Sequence, residues 1–367
     1  MSPEMLTVLR GLLFFSLVVL YFILHSLAVD VAEKKGFTKL YASLFALIPI
    51  YGFVYFTFLA PSKKNVDPEV IRFIFNWKNI LSKFILFSEL VALSVIVVVP
   101  VVYIVGMALS NIRSSVPNTI WPSNPTFDAF IYLFSDPDSE TGGSFFPLWY
   151  WNTLKIALIN MSVGTVLITG AAYVFARGKF KGKRAGLMSL LVLQAFPSFM
   201  GLLAMYVLFN ITGFIGKPTA LSILYIGGSI PGNIWLIKGF LQQIPKDLDE
   251  SALIDGANKL QTFFKIILPL SVPIISFVAV NMFMAPWMDY MLPGYLLNIP
   301  APGTDPADVV QQWTLAVGLF KFINDNTMRH YAAFAAGALN VGTPITVLYM
   351  IFQRFLIEGI MAGSTKG

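Results

Sequence analysis

The chain has two histidines, His25 and His330, far apart in sequence, and no cysteine. Disulfides and thiolate metal sites are thereby excluded, and a histidine metal cluster is not expected. Gly216-Lys217-Pro218 lacks both the upstream glycine and the hydroxyl of a phosphate-cradling loop. No serine–histidine–aspartate or histidine–glutamate arrangement falls at the end of an apolar run. The chain is therefore read as non-catalytic. What remains is docking chemistry, concentrated in residues 249–273, a charged island between two long apolar stretches. Pro245 can open a helix there, placing Asp247, Asp249 and Glu250 at the positive end of its dipole. Gly256 after Asp255 is a turn signal. Leu253, Ala257, Leu260, Phe264 and Ile267 recur at helical spacing, so the segment reads as one short helix with one apolar stripe. A helix with an acidic start and a single stripe suits a groove on a cytoplasmic partner.

The elements that position this island are membrane spans. Mean hydropathy is +0.73 and charged residues are only 12%, about half what a soluble domain carries. The expected fold class is all-α, a polytopic membrane protein, because the apolar runs reach the roughly 20 residues that a bilayer requires and strand alternation is missing. Apolar runs cover about 6–28, 38–60, 84–109, 152–176, 185–209, 218–240, 268–292 and 332–357. With both termini cytoplasmic, the inside loops collect Lys63, Lys64, Arg72, Lys78 and Lys83, then Arg177, Lys179, Lys181, Lys183 and Arg184, then Lys238, Lys246, Lys259 and Lys265. Residues 110–150 hold only Arg113 among lysines and arginines outside their span ends. The positive-inside rule thus accounts for the net charge of +6 without nucleic acid.

The first run reads as a retained span rather than a cleaved signal, since it is long and the sequence stays apolar after Ser26-x-Ala28. Asp67-Pro68-Glu69 followed by Val70, Ile71, Phe73, Ile74 and Phe75 reads as an amphipathic helix in the cytoplasmic interface. Segment 110–151 is expected outside, with one short helix at 127–134. Polar residues within spans are the candidates for a translocation path: Asn160, Gln194, Asn281, Asp289 and Asn340, with Tyr206 and Trp287 as stacking surfaces. The competing reading of each is plain helix packing.

Glu250-Ser251-Ala252, then Gly256, then Ile266, Leu268 and Pro269 resemble the "EAA" loop of permease subunits in binding-protein-dependent ABC importers, with Ser251 in place of an alanine. Trp151-Asn152-Thr153, residues 172–177, residues 234–240, Pro286-Trp287-Met288-Asp289-Tyr290 and residues 313–319 extend the resemblance to the smaller, G-type subunit of maltose/maltodextrin importers over about 84–367. It implies a six-span permease domain at 84–367 with its EAA loop at 245–269. Residues 1–83 depart from the family pattern and are read as an extension with two further spans and the interfacial helix. The resemblance implies that Glu250, Ser251, Ala252, Asp255, Gly256, Ala257, Leu260, Leu268 and Pro269 couple to an ATPase subunit. It also implies that the tail, with Gly363, Ser364, Lys366 and Gly367, reaches the interface between two such subunits; free of a partner, that tail is expected to be disordered. Residues 293–329 would be a shaped, extended loop meeting an extracytoplasmic sugar-binding protein. ATP and magnesium would sit on the partner ATPases, none in this chain; the other partners implied are a second homologous permease and the lipid bilayer. A permease for another sugar or for glycerol phosphate shares these motifs. A secondary transporter would need deep ionisable pairs and a repeat.

Overall fold

The computed structural model describes residues 3–59, 77–111, 119–135, 144–195, 198–300, 303, 305–324 and 330–364. Its regular elements are helices: α1 (Pro3–Lys34), α2 (Lys39–Phe45), α3 (Pro49–Val54), α4 (Trp77–Ala108), α5 (Asp128–Phe134), α6 (Phe146–Ile159), α7 (Thr165–Arg177), α8 (Lys183–Ala195), α9 (Leu202–Thr212), α10 (Leu221–Leu241), α11 (Asp247–Ile254), α12 (Lys259–Thr262), α13 (Leu268–Leu270), α14 (Val272–Met288), α15 (Met291–Leu296), α16 (Leu315–Asn324) and α17 (Tyr331–Ser364). Wide π-helical turns at Tyr55–Leu59, Asn160–Gly164 and Phe263–Ile267 join some of them. The all-α expectation holds.

Among the described residues five helices are long and apolar enough to cross a membrane: Phe14–Lys34, Ile80–Ala108, Phe146–Arg177, Pro218–Leu241 and Tyr331–Phe355. A sixth is a bent pair, Lys259–Leu270 and Val272–Met288, turned by 79°. Three of the expected apolar runs are not single helices; 268–292 is broken at Ser271, within that bent pair, and again after Met288. Residues 38–60 break at Ile48, whose extended ψ of 94° precedes Pro49. Proline disfavours helix at the residue before it and brings no N–H, so the run ends and restarts. Residues 185–209 divide into α8 and α9 beside Pro197, which itself lies outside the described residues.

The chain forms two compact units, 1–102 and 103–367. In the first, Val19, Ile23, Leu27, Ala28 and Val31 of α1 bury against Ala42, Ala46 and Phe56. The interfacial helix expected around Val70–Phe75 falls outside the described residues. In the second unit, one core gathers Trp149, Ile156, Phe283, Trp287, Leu315 and Leu319, and another gathers Ile168, Ala172, Ile234, Ile237 and Ile267. The short helix expected at 127–134 is α5. Residues 293–329 carry more helix than an extended loop would, namely the end of α15, a 3-10 turn at Pro306–Gln312, and α16. The expected free tail also differs, because α17 runs on as helix through Gly363 and Ser364. Lys366 and Gly367 lie outside the described residues.

Candidate functional site

The charged island is an elbow of two helices rather than one. Helix α11 begins at Asp247, two residues past Pro245, with Asp247, Asp249 and Glu250 in its first turn. It ends in a Schellman turn: Gly256 N–H bonds Leu253 O at 3.1 Å and Ala257 N–H bonds Ala252 O at 2.9 Å. Gly256 sits at φ +81°, a left-handed conformation that favours glycine. The second arm starts with a capping box, in which Asn258 Oδ1 accepts from Gln261 N–H and Gln261 Oε1 accepts from Asn258 N–H. Leu253 therefore lies on one arm and Leu260, Phe264 and Ile267 on the other, and the single stripe expected from spacing is split by the turn. Glu250, Ser251, Asp255, Gly256, Leu260 and Pro269 are exposed, Ala257 and Leu268 are half-buried, and Ala252 is buried within the chain. Ile254 is 86% exposed and Leu260 68%, a large apolar display for the end of a polar island.

The elbow is held by the end of one rod, the continuous run Phe146–Arg177. Arg177 Nη2 donates to Ile244 O at 2.8 Å, just ahead of α11. Its Nε pairs with Asp249 Oδ2 at 2.9 Å, and only 10% and 19% of the two side chains are exposed. One turn earlier, the Tyr173 ring lies 4.6 Å from that of Phe263 on the second arm. Lys183 closes the far side of this corner by donating to Gly178 O at 3.0 Å. No local pattern in the sequence pairs Arg177 with Asp249. The capping box, by contrast, follows a local pattern, Asn258-x-x-Gln261.

The other end of the rod holds the loop between the last two spans. Trp149 Nε1 donates to Val310 O at 2.7 Å. Asn152 Nδ2 donates to Gln311 O and Trp313 O at 2.9 and 3.1 Å. Thr153 Oγ1 accepts from Leu315 N–H at 2.8 Å. The motifs around Trp151-Asn152-Thr153 and Trp313-Thr314-Leu315, separate in sequence, are two sides of one latch. Beside it lies a cleft of about 430 Å³ lined by Leu148, Asn152, Gly216, Pro218, Asp308, Gln311 and Gln312.

Residues 144–361 match the family described as binding-protein-dependent transport system inner membrane component. The chain belongs to this family. It is 40% identical to the galactooligosaccharides transport system permease protein GanQ of Bacillus subtilis (strain 168), over 77% of this chain and 96% of that protein. To the maltodextrin transport system permease protein MdxG of the same strain it is 35% identical, over 79% and 98%. To the maltose/maltodextrin transport system permease protein MalG of Escherichia coli (strain K12) it is 37% identical, over 60% and 72%. Its fold resembles that of a chain in a bacterial ABC transporter involved in alginate import, with a TM-score of 0.63, 18% identity and coverage of 77% of this chain and 99% of the other.

Within this membrane component the polar residues proposed for a path are dispersed. Asn281 and Asn340 each donate to the carbonyl one turn back, at 2.8 and 2.9 Å. Gln194 lies on α8 facing Gly232, where an added β-carbon would stand 3.1 Å from its amide nitrogen. Tyr206 meets Tyr295 edge-on at 6.0 Å. Trp287 is buried, packed edge-on against Tyr150 at 5.1 Å. Asn160 is fully buried at the start of the π-turn in the rod, and neither of its amide atoms has a partner among the described residues.

Asp289 has a structural task. One carboxylate oxygen accepts from Met291 and Leu292 N–H at 2.9 and 3.3 Å, and the other from Tyr225 Oη at 2.9 Å. It starts α15 and ties it to α10. Asp289→Ala should lower stability by about 1–3 kcal/mol, through the unpaired groups it leaves. Asp289→Asn, which keeps an acceptor for the N–H groups, should lose less. Thermal unfolding in detergent checks the order; equal stabilities with altered uptake would instead mark Asp289 as a substrate contact.

Proposed function

We propose that this chain is one membrane subunit of an ATP-driven ABC importer for oligosaccharides of the maltodextrin or galacto-oligosaccharide kind. A second, homologous permease subunit would complete the pathway, two ATPase subunits would power it, and an extracytoplasmic binding protein would deliver the sugar. The elbow at 247–270 carries this reading. It is exposed, acidic at its start, apolar at its corner and flanked by the basic loops that mark the cytoplasmic side. The family and the named relatives support the class of transport. Closure of the ATPases on the elbow would tilt the spans attached to it and switch the pathway between its inward and outward forms. Exposed Glu250 would meet a basic group in the ATPase groove. The helical tail at 359–364 would reach between the ATPases.

Gly256 offers a sharp test, because a β-carbon there meets nothing within 4 Å among the described residues. Gly256→Ala and Gly256→Trp should carry the same backbone strain, about 1–2 kcal/mol. Only the tryptophan would collide with a partner seated on the corner. Pull-down of the co-expressed ATPase, with sugar uptake, should show a mild loss for alanine and a near-complete loss for tryptophan. Equal behaviour of the two variants would show that no partner groove covers the corner.

A further inference from the structure

The unit formed by residues 1–102 has an internal geometry that fixes how many times it crosses the bilayer. Residues 38–59, if helical throughout, would be about 33 Å long, enough to span. Instead they go up along α1 and come back. Phe37, just past α1, packs its ring 5.4 Å from that of Phe56. Lys35 Nζ donates to Thr57 O at 3.3 Å, so the two ends of the segment sit together. Its middle sits elsewhere: Tyr21 Oη donates to Leu47 O at 3.1 Å and His25 Nδ1 to Ala46 O at 2.8 Å. From Lys35 back to Tyr21 is 14 residues of helix, roughly 21 Å. The segment is a hairpin whose tip reaches about two-thirds of the way along Phe14–Lys34, the part of α1 long and apolar enough to cross a membrane.

The next helix confirms the count. Lys83, near the start of α4, pairs with Asp30 and donates to Ser26 at 2.8 Å, near the end of α1. Phe87 stacks on Phe22 at 5.7 Å. Helices α1 and α4 therefore run antiparallel, with the end of one beside the start of the other. A complete second span between them would have put those ends on opposite faces. The shared end carries Lys34, Lys35, Lys39, Lys78 and Lys83, against Arg10 near the start of α1.

We propose that α1 crosses once from outside to inside and that 38–59 is a re-entrant hairpin, so the start of α1 is extracytoplasmic. This replaces the two complete spans and the cytoplasmic start read from hydropathy. Broken backbone is tolerated at membrane depth only where its polar groups find partners in protein. His25 and Tyr21 are those partners, each satisfying a carbonyl that the break at Pro49 strands in hydrocarbon. Anything attached ahead of α1 then lies on the side where a binding protein docks, out of reach of the ATPases. That last consequence alone rests on the proposed function.

The chain has no cysteine of its own, so single cysteines report cleanly. A protease-cleavable tag ahead of Met1 should be removed from intact cells stripped of any outer membrane. Lys39→Cys should react with an impermeant maleimide only after permeabilisation, as should Lys181→Cys in the basic loop. Ile48→Cys, at the tip, should stay at least tenfold less reactive than Lys39→Cys in permeabilised cells. A protected tag, or labelling of Lys39→Cys from outside, would overturn the single crossing. Brisk labelling of Ile48→Cys would show a hairpin lying on the surface and overturn re-entrance. Outside labelling of Lys181→Cys would overturn the orientation assumed for the elbow, a separate failure.

Discussion

Arg177→Asp should disable transport and loosen the elbow, and adding Asp249→Arg should restore much of both. The pair is mostly buried, and removing one partner strands the other charge away from water, at roughly 3 kcal/mol. Reversal adds repulsion. The swapped pair can re-form the ion pair but not the bond to Ile244 O, so rescue should be partial. Arg177→Lys should be intermediate, since one ammonium cannot serve two acceptors as the guanidinium fork does. The readouts are protease sensitivity of residues 241–270 and sugar uptake in the assembled complex. If the single reversal leaves both unchanged, the end of the rod does not hold the elbow. If it lowers uptake with the ATPase still bound, the corner at Arg177 passes motion from the elbow to the span.

At the opposite end of the rod, Gly318→Val should be among the most damaging single changes. A β-carbon at Gly318 would lie 2.0 Å from Trp149 Cε3 and 2.3 Å from its Cδ2. Trp149 is buried, bonded to Val310 O, and flanked by Trp313 and Phe322 at 5.9 and 5.8 Å. It cannot withdraw without undoing the latch, so the loss should reach the upper end of the roughly 1–3 kcal/mol of overpacking. Gly337→Ala should be milder, because its 2.2 Å clash is with Cδ2 at the far end of the Leu319 side chain, which can rotate away more easily than an indole ring. Gly170→Ala, facing open space, should be neutral. Thermal unfolding in detergent should rank them in that order; a harmless Gly318→Val would mean the loop does not lock on Trp149.

Much of this was legible because membrane insertion is written in local composition. The apolar runs gave the spans, and the turn at Gly256 was visible in its type. What the runs concealed was interruption. Pro49 divides 38–59 without lowering its hydropathy, so a length-based reading counts a crossing where there is a hairpin. Gly256 was read as a turn, yet the apolar spacing ran across it, and periodicity alone could not show that the stripe is divided between two arms. The contacts at both ends of the rod join residues 161 and 72 positions apart, Trp149 to Val310 and Arg177 to Asp249. Their partners are set by packing, which no local pattern encodes. The intramembrane polar residues were found by type. Their roles depended on neighbours, and Asp289 proved a helix start, whereas the buried amide of Asn160 finds no partner among the described residues.

The latch also sets an order of assembly during biosynthesis. When the ribosome has finished the rod, Trp149 Nε1 and the Asn152 amide have no partners, because Val310, Gln311 and Trp313 are still untranslated. At about 5–20 residues per second, the roughly 130 residues from Arg177 to Val310 take about 7–27 s to follow. Over that interval the half-made chain stands in the bilayer with its outer corner open. Insertion must therefore tolerate a long-lived intermediate, and the last third of translation closes what the middle third began.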